Sequence, residues 1–577
     1  MPKKNEELAE LFNEWADLIR ISGGDPFRAR SYEKAAAAVA AYPKDIAALD
    51  EKALQQIPTV GKGMATRIHE YTEKGAMHEL EELRELVPPG IRELTKIPGL
   101  GPKKAVLVYE ELGIATLEEL VAAIAEHKLR GIKGLGPKTE DNLKRNIEQY
   151  QQFGDRVRLD VALKLAEELI AGLSECKAIQ ELTFCGSLRR MRETIGDIDI
   201  LAASKDVEAV MNAFDALPLV ERTIARGDTK MSVITAKGVQ VDLRVVPHDA
   251  WGAALIYFTG SKAHNIKIRE MAVKRGWKLS EYGLFKVETD KKMVAKTEEA
   301  VYAKLGLPWI PPTLREDAGE VEAARKGELP TLIELSDING DLHTHTNLTD
   351  GQATLEDMIE TAAARGYSYY AVTDHAENLY MTGMSREKVL AQRAKLADIQ
   401  KKYPKMTLLH GTELNIDQHG EVDYDPAFLA GFEITVASVH SYFNLDRDEM
   451  TKRIIKAMEN PHVNIIGHPT GRKIGSRAPY EFDAEAVFAA AARTGTAIEV
   501  NSYPDRLDLR DEHVRWAVGA GATISIDTDS HAVGHLSGIR YGVATAQRGW
   551  AQKAHVLNAK PLKQLEAFVA RKRAKSR

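Results

Sequence analysis

The 577-residue chain is long enough for roughly three or four domains, and its 44% apolar and 28% charged residues describe a globular protein. A formal net charge of −6 excludes a uniformly basic nucleic-acid coat but leaves room for local phosphate-binding surfaces. Two cysteines, Cys176 and Cys185, exclude a disulfide framework or a cysteine zinc finger, and no apolar run approaches the roughly 20 residues that span a bilayer.

The opening segment MPKKNEELAELFNEWADLI lacks the apolar centre of a signal peptide, so the cytoplasm is the expected location. Leu8, Leu11, Phe12, Trp15 and Ile19 recur at helical spacing, and this helical texture continues to about 150. Three stretches repeat within it: IPTVGKG at 57–63, IPGLGPK at 97–103 and IKGLGPK at 132–138. Each joins an apolar residue, a tight turn and a glycine pair to a predicted helix. The pairs are Gly61 and Gly63, Gly99 and Gly101, and Gly134 and Gly136. Such glycines let backbone approach a phosphate, and amides at the helix start point at it.

From about 155 the runs LTFCGS, DIDILAA, MSVIT and VQVDLRVV alternate with helical patterns, predicting an α/β unit to about 247. A smaller mixed unit follows to about 315. PWIPPTLREDAGEVEAARKGELP then reads as a linker or surface excursion. From 337 the strands YYAVTDH, MTLLHGTEL, ITVASVH, VNIIGHP, TAIEVN and ATISIDTDSH alternate with helices, as in a parallel α/β barrel or doubly wound sheet. Polar residues close nearly every strand, where such folds place their sites. The tail RKRAKSR is basic and expected to fray.

Two constellations carry chemistry. In GSLRRMRETIGDIDIL, Asp197 and Asp199 form a D-x-D whose carboxylates share one face of a strand. Asp242 in VQVDLRVV adds a third. Hard oxygens of this kind suit Mg²⁺, and three carboxylates can hold two ions. The Gly186-Ser187 turn and Arg190 can contact triphosphate oxygens. In GDLHTHTNLTDG, His343 and His345 face the same side of a strand and Asp350 can return from the next loop. Later strand ends add His375, Glu413, His440, His468, Asp529 and His531. This mixed set suits Mn²⁺, Zn²⁺ or Fe²⁺, and nine donors exceed the need of one ion, which predicts two or three. His410, His419, His462, His513, His535 and His555 lack that context and read as structural or surface residues.

The second constellation resembles the PHP (polymerase and histidinol phosphatase) family through HxH, TDH, GHP and DxH, over about 240 residues. That resemblance implies a distorted (βα)₇ barrel with a trinuclear phosphoesterase site, and all nine ligand types are present. The first resembles the family X DNA polymerases, extended by YFTGSKAHNIKIR at 257–269 and SEYGLF at 280–285. It implies that Asp197, Asp199 and Asp242 are the metal-binding catalytic carboxylates and that Ser187, Arg190 and Gly196 contact triphosphate. Tyr257, Phe258 and Gly260 would pack on the incoming sugar, Asn265 would contact the base, and Arg269 the template strand. Ile195 departs from the pattern, standing where the vertebrate relative has a phosphate-contacting serine. The glycine repeats resemble helix-hairpin-helix elements, whose contacts ignore base sequence. DPFRARSYEKAA resembles the start of a 5′-phosphate pocket, with Arg28, Arg30 and Tyr32 as contacts. Arg67 stands where that family's lyase segment has its Schiff-base lysine; a guanidinium is a poor amine nucleophile, so lyase activity should be weak or absent, with Lys62 and Lys74 as the alternative amines.

The resemblances imply a multidomain chain. Residues 1–80 would be a small helical DNA-binding domain and 81–150 helix-hairpin-helix fingers. An α/β nucleotidyltransferase palm would span 151–247, a small thumb 248–315, a linker 316–336 and the PHP domain 337–577. The expected function is a monomeric gap-filling repair polymerase, in base excision repair or end joining, with a metal-dependent 3′–5′ exonuclease. It would act on gapped or nicked DNA and deoxynucleoside triphosphates, away from membranes. The resemblance also leaves cutting at abasic sites or removal of 3′-phosphates as further activities of the barrel. The alternative is a gapped-DNA-binding protein whose PHP domain is a structural platform. A small-molecule phosphatase fits the N-terminal motifs poorly.

Overall fold

The structure is a computed structural model that describes residues 3–574 apart from 43, 44, 58, 96, 98, 154, 155 and 295. The N-terminal part is helical, from Lys3–Ile21 to Pro137–Phe153. One apolar core runs through it from Leu8 to Ile147, across the expected division at 80. Glu14 strengthens that continuity, receiving both Arg84 (2.8 and 2.7 Å) and Arg92 (3.0 Å).

The palm is a five-stranded sheet in the order Ile179–Phe184, Ile198–Ser204, Gln240–Val246, Lys230–Thr235, Val220–Arg226. Its central pair is parallel and in register, so Asp199 lies directly beside Asp242. Ile195 is fully buried and paired with Val157, which accounts for an apolar residue there.

The thumb is fastened to the palm by a buried charge network. Glu298 receives Arg189 (2.8 Å), Arg315 (2.7 Å) and the Trp309 indole (2.9 Å). Burial alone would raise the Glu298 carboxyl, but the two guanidinium groups outweigh it and hold it at about 2. The stretch 316–336 is not a free linker. It forms helix Glu320–Lys326, and the wholly buried Glu320 meets His264 of the thumb at 2.6 Å. Alternation of apolar and charged residues hid this, because the charges are satisfied inward.

The C-terminal domain is a seven-stranded parallel sheet, Gly340–Asp341, Tyr369–Val372, Thr407–Asn415, Ile434–Ser438, Ile465–Ile466, Ala497–Asn501 and Ile524–Asp527, paired in chain order. A bridge between Thr344 and Ser530, and a bond from the Leu342 amide to Asp527 (3.0 Å), bring the last strand to the first, so the barrel is nearly closed. Helix Leu562–Ala574 adds Leu565, Phe568 and Val569 to the core under Tyr369, Ile434 and Ala497. Part of the basic tail is therefore ordered: Lys572 is buried and donates to Met458 O at 2.7 Å, while 575–577 lie outside the described residues.

Palm and barrel touch directly. Leu507 and Tyr541 join the palm core, and Arg540 pairs with Glu167 at 2.8 Å. No helix among the described residues is long and apolar enough to cross a membrane.

Candidate active sites

In the palm, ligand atoms of Asp197, Asp199 and Asp242 lie within 4.8 Å of one another. Burial, then the adjacent Asp197 and Asp242 carboxylates, push Asp199 up to about 7. Asp242 is buried too, yet its pKa is lowered, because Lys230, Ser232 and Gln240 outweigh the burial. Lys230, which pairs with Asp242, was invisible in the motif reading; its signal is strand register, which puts Ser232 opposite Asp242 and Lys230 two residue pairs further along. Gly186 carries φ +62, and a Cβ there would lie 2.3 Å from Asp199 Oδ2. The glycine is thus required by close approach to the carboxylate as well as by its backbone angle.

The expected triphosphate contacts gather beside this triad. Ser187 is half-buried on the short helix Gly186–Arg189, and Gly196 is exposed with Arg156 against it. Arg190 donates to Glu316 (3.0 Å) and to Thr259 O (2.5 Å), and its guanidinium lies 3.1 Å from a Cβ built on Gly260. Glu316 also pairs with Arg548 of the barrel at 2.9 Å, and Arg548 donates to Arg190 O at 2.8 Å. Tyr257 and Phe258 meet edge to face at 5.1 Å. Asn265 donates to Tyr257 O at 2.8 Å, and Tyr257, Asn265 and Arg269 line one small cleft.

The hairpins require a correction. Gly99 (φ +84) and Gly134 (φ +93) take the left-handed turn position, and Gly101 caps the helix Pro102–Leu112. Gly136 occupies the same place before Pro137–Phe153. In the first hairpin the left-handed residue is Thr59 (φ 70), Gly61 is the cap, and Gly63 lies inside helix Lys62–Lys74. Gly61–Gly63 is therefore offset from the other two pairs. A Cβ at Gly61, Gly101, Gly134 or Gly136 meets nothing, so those backbones are open to a ligand.

The expected 5′-phosphate contacts divide. Arg28 and Arg67 share Glu79 at 3.2 and 2.5 Å, and Arg67 lies over the Trp15 ring at 5.1 Å. Arg30 is exposed and contacts Met381. Tyr32 is instead a core residue, stacked on Trp15 at 4.8 Å, because it lies three residues after buried Ala29, on the inward face of helix Pro26–Ala41. Lys62 and Lys74 are both exposed.

At the barrel mouth all nine expected ligands converge. Ligand atoms of His345, Asp350, His375 and His531 form one group, His343, His345 and Asp529 a second, and His375, Glu413 and His440 a third, each within 4.8 Å. His468 joins through Glu413 at 3.1 Å. Glu413 is central, also meeting His375 at 2.8 Å and His440 at 3.1 Å. Burial pushes His468 down to about 3 and also lowers His345, leaving neutral imidazoles suited to ligation. Burial would raise Glu413, but His440 and His343 hold it well below the usual carboxylate range. At the mouth five buried imidazole nitrogens make no well-aligned hydrogen bond among the described residues: His343 Nε2, His345 Nδ1 and Nε2, His468 Nδ1, and His375 Nδ1, which lies 2.8 Å from a Glu413 oxygen. Buried imidazole nitrogens converging on carboxylates in this way fit a metal-ligand set.

Six of the strands supply these ligands, and the remaining one, Ala497–Asn501, holds them in place. Glu499 accepts from His343 Nδ1 at 2.7 Å and also from the His468 amide. Asn501 bridges Glu499 and Asp529, each at 3.1 Å. Asn415 meets His440 Nδ1 at 2.8 Å. These supports escaped the motif reading, although IEVN shows two polar residues on one strand face.

A chain with hairpin helices, a three-carboxylate palm and a histidine-rich phosphoesterase barrel is a fused polymerase-type protein. The comparisons agree with that class. Family models match for a helix-hairpin-helix domain (3–77), a SAM-like helix-hairpin-helix tandem (91–148), the DNA polymerase beta thumb (254–316) and the PHP domain (341–502). The chain is 38% identical to the DNA polymerase/3′-5′ exonuclease PolX of Bacillus subtilis (strain 168), over 98% of this chain and 99% of that protein. It is 28% identical to DNA polymerase lambda of Rattus norvegicus, over 54% of this chain and 55% of that one. The lambda enzyme of Arabidopsis thaliana is 26% identical, over 54% and 62%. The chain belongs to the family X DNA polymerases that carry a C-terminal PHP domain.

Proposed function

We propose that the chain is a DNA-directed DNA polymerase that fills short gaps during repair, in base excision or end joining, and that its barrel is a metal-dependent 3′–5′ exonuclease. One observation carries this reading: two separate donor clusters, Asp197/Asp199/Asp242 and the nine barrel residues, on one chain with hairpins whose turn backbones are open. In the palm, Asp197, Asp199 and Asp242 would hold Mg²⁺ or Mn²⁺, and Arg190 would leave Glu316 to bind triphosphate. Tyr257, Phe258 and Gly260 would bound the sugar, with Asn265 on the base and Arg269 on the template strand. In the barrel, the nine ligands would hold two or three Mn²⁺, Zn²⁺ or Fe²⁺ ions, which supply charge neutralisation and water activation when bound. Glu499 at His343 Nδ1 and Asn415 at His440 Nδ1 would hold those imidazoles with Nε2 free for a metal, and Asn501 steadies Glu499 and Asp529. Cleavage at abasic sites and 3′-phosphate removal are further uses of the same chemistry. With Arg67 tied to Glu79, we expect no efficient lyase; strong borohydride trapping at an abasic 5′ end would contradict this.

The test uses a 5′-labelled primer on a one-nucleotide gap bearing a 5′-phosphate, with Mn²⁺. Shortening without nucleotides and one-nucleotide extension with them are expected. Extension without shortening would leave the barrel a platform or direct it to another phosphoester.

A further inference from the structure

Beside the barrel mouth lies a basic cavity that neither site uses. It holds about 470 Å³ between the palm and the loop that follows His468. Arg156, Arg472, Lys473, Arg477 and Arg510 line it, against a single acidic lining residue, Glu193. Glu193 pairs with Arg472 at 2.7 Å, Asp505 with Lys473 at 3.1 Å, and Glu512 with Arg510. Arg156 and Arg477 have no carboxylate partner among the described residues. Arg156 donates to Thr194 Oγ1 at 2.9 Å, and Arg477 to Gly471 O at 2.6 Å. Three more lining groups, Thr470 Oγ1, Arg472 Nε and His513 Nδ1, are buried without a hydrogen-bond partner. Burial, followed by nearby arginines, lowers Arg477 to about 10 and His513 to about 4, as crowded positive charge requires.

The cavity does not end there. Arg477 and Pro479 also line a second one, of about 670 Å³, against the hairpin residues Gly99, Lys104, Lys138 and Arg145. Acidic Asp446 and Glu481 line it as well, Glu481 pairing with Arg145 at 2.5 Å. Phe443 lies under Arg477 at 4.4 Å and stacks with Tyr480 at 6.2 Å, and Tyr442 is half exposed beside them. The two cavities thus form one trough from the second and third hairpins to the flanks of both sites. At its far end Thr194 precedes Asp197 by three residues, and the Gly471 amide bonds His468 O at 2.9 Å.

We infer that this trough binds the sugar-phosphate backbone of single-stranded DNA, leading an unpaired strand between the palm and the barrel mouth. A duplex is too wide for cavities of this size, whereas a cationic track with aromatic rings is how single strands are held. The inference rests on the polymerase and exonuclease reading above.

The test measures binding of fluorescein-labelled dT12 to the full chain, without divalent metal, across a salt series. Lys473→Glu/Arg510→Glu alters two exposed members of the trough, and Lys326→Glu/Lys401→Glu makes the same charge change elsewhere. The trough variant should bind about tenfold more weakly at low salt, and its log–log salt slope should fall by about 1.4, two phosphate contacts' worth. The control should keep the wild-type slope. Lys473→Gln/Arg510→Gln should lie between, with an unchanged thermal midpoint. Equal losses in the trough and control variants, or no loss in either, would overturn the inference. Wild-type protein that binds dT12 through the trough but never shortens a primer would instead remove the exonuclease reading alone.

Discussion

The palm and the barrel hold charge in opposite ways. The palm brings three carboxylates together on and just before the central strand pair of an open sheet, with Asp197 exposed, Asp199 half-buried and Lys230 already on Asp242. The barrel brings nine donors to a mouth in which His343, His345 and Glu413 are wholly or almost wholly buried, and a further strand braces them. On the proposed function, a site with three ligands would leave coordination positions for oxygens of an arriving triphosphate. A mouth with nine can saturate its ions before any substrate arrives. On the proposed function, the palm would receive ions with its substrate and the barrel would retain them.

That contrast can be broken most sharply by removing one donor from each side. Asp199→Ala should reduce nucleotide addition on the order of 10³-fold or more and leave primer shortening intact. His343→Ala should do the reverse; equal loss of both activities in folded protein would mean the centres are not separate. Gly186→Ala acts on the palm alone, since its Cβ would collide with Asp199 Oδ2. Extension by the folded variant should fall about 10²-fold, as expected for a displaced catalytic group. Glu499→Gln removes the brace and not a ligand, so exonuclease activity or metal affinity should drop about 10–100-fold while extension is unchanged. Elemental analysis after gel filtration checks retention directly: wild type and Asp199→Ala should carry equal metal, and Glu413→Ala less. The smallest effect is expected at Glu316→Gln. With the carboxylate removed from Arg190, the KM for nucleotide should fall, by roughly fivefold, about 1 kcal/mol.

Much of this was legible in the chain itself. HxH, TDH, GHP and DxH are local signals, because a strand end exposes its terminal polar residues to one face of the sheet. D-x-D is legible for the same reason, and hairpin glycines because a left-handed turn selects them. The braces were not. Glu499 and His343 are separated by 156 residues, and their bond exists only once the barrel wraps its strands into a ring. Thr59 shows the limit of motif alignment, since the glycine pair caught the eye while the backbone placed the turn two residues earlier. Tyr32 shows it again, since a phosphate-pocket resemblance does not say which helix face is inward.

Ligand identity and strand ends were written in short segments, where periodicity of two or 3.6 residues decides which side chains share a face. The choice of partner for each charge was left to packing. Glu316 between Arg190 and Arg548, Glu298 beneath the thumb and the basic trough beside His468 all join residues far apart in the chain. Burial removes water from such groups, so each must find its counter-charge in whatever neighbour the fold delivers, and only the folded chain specifies that neighbour.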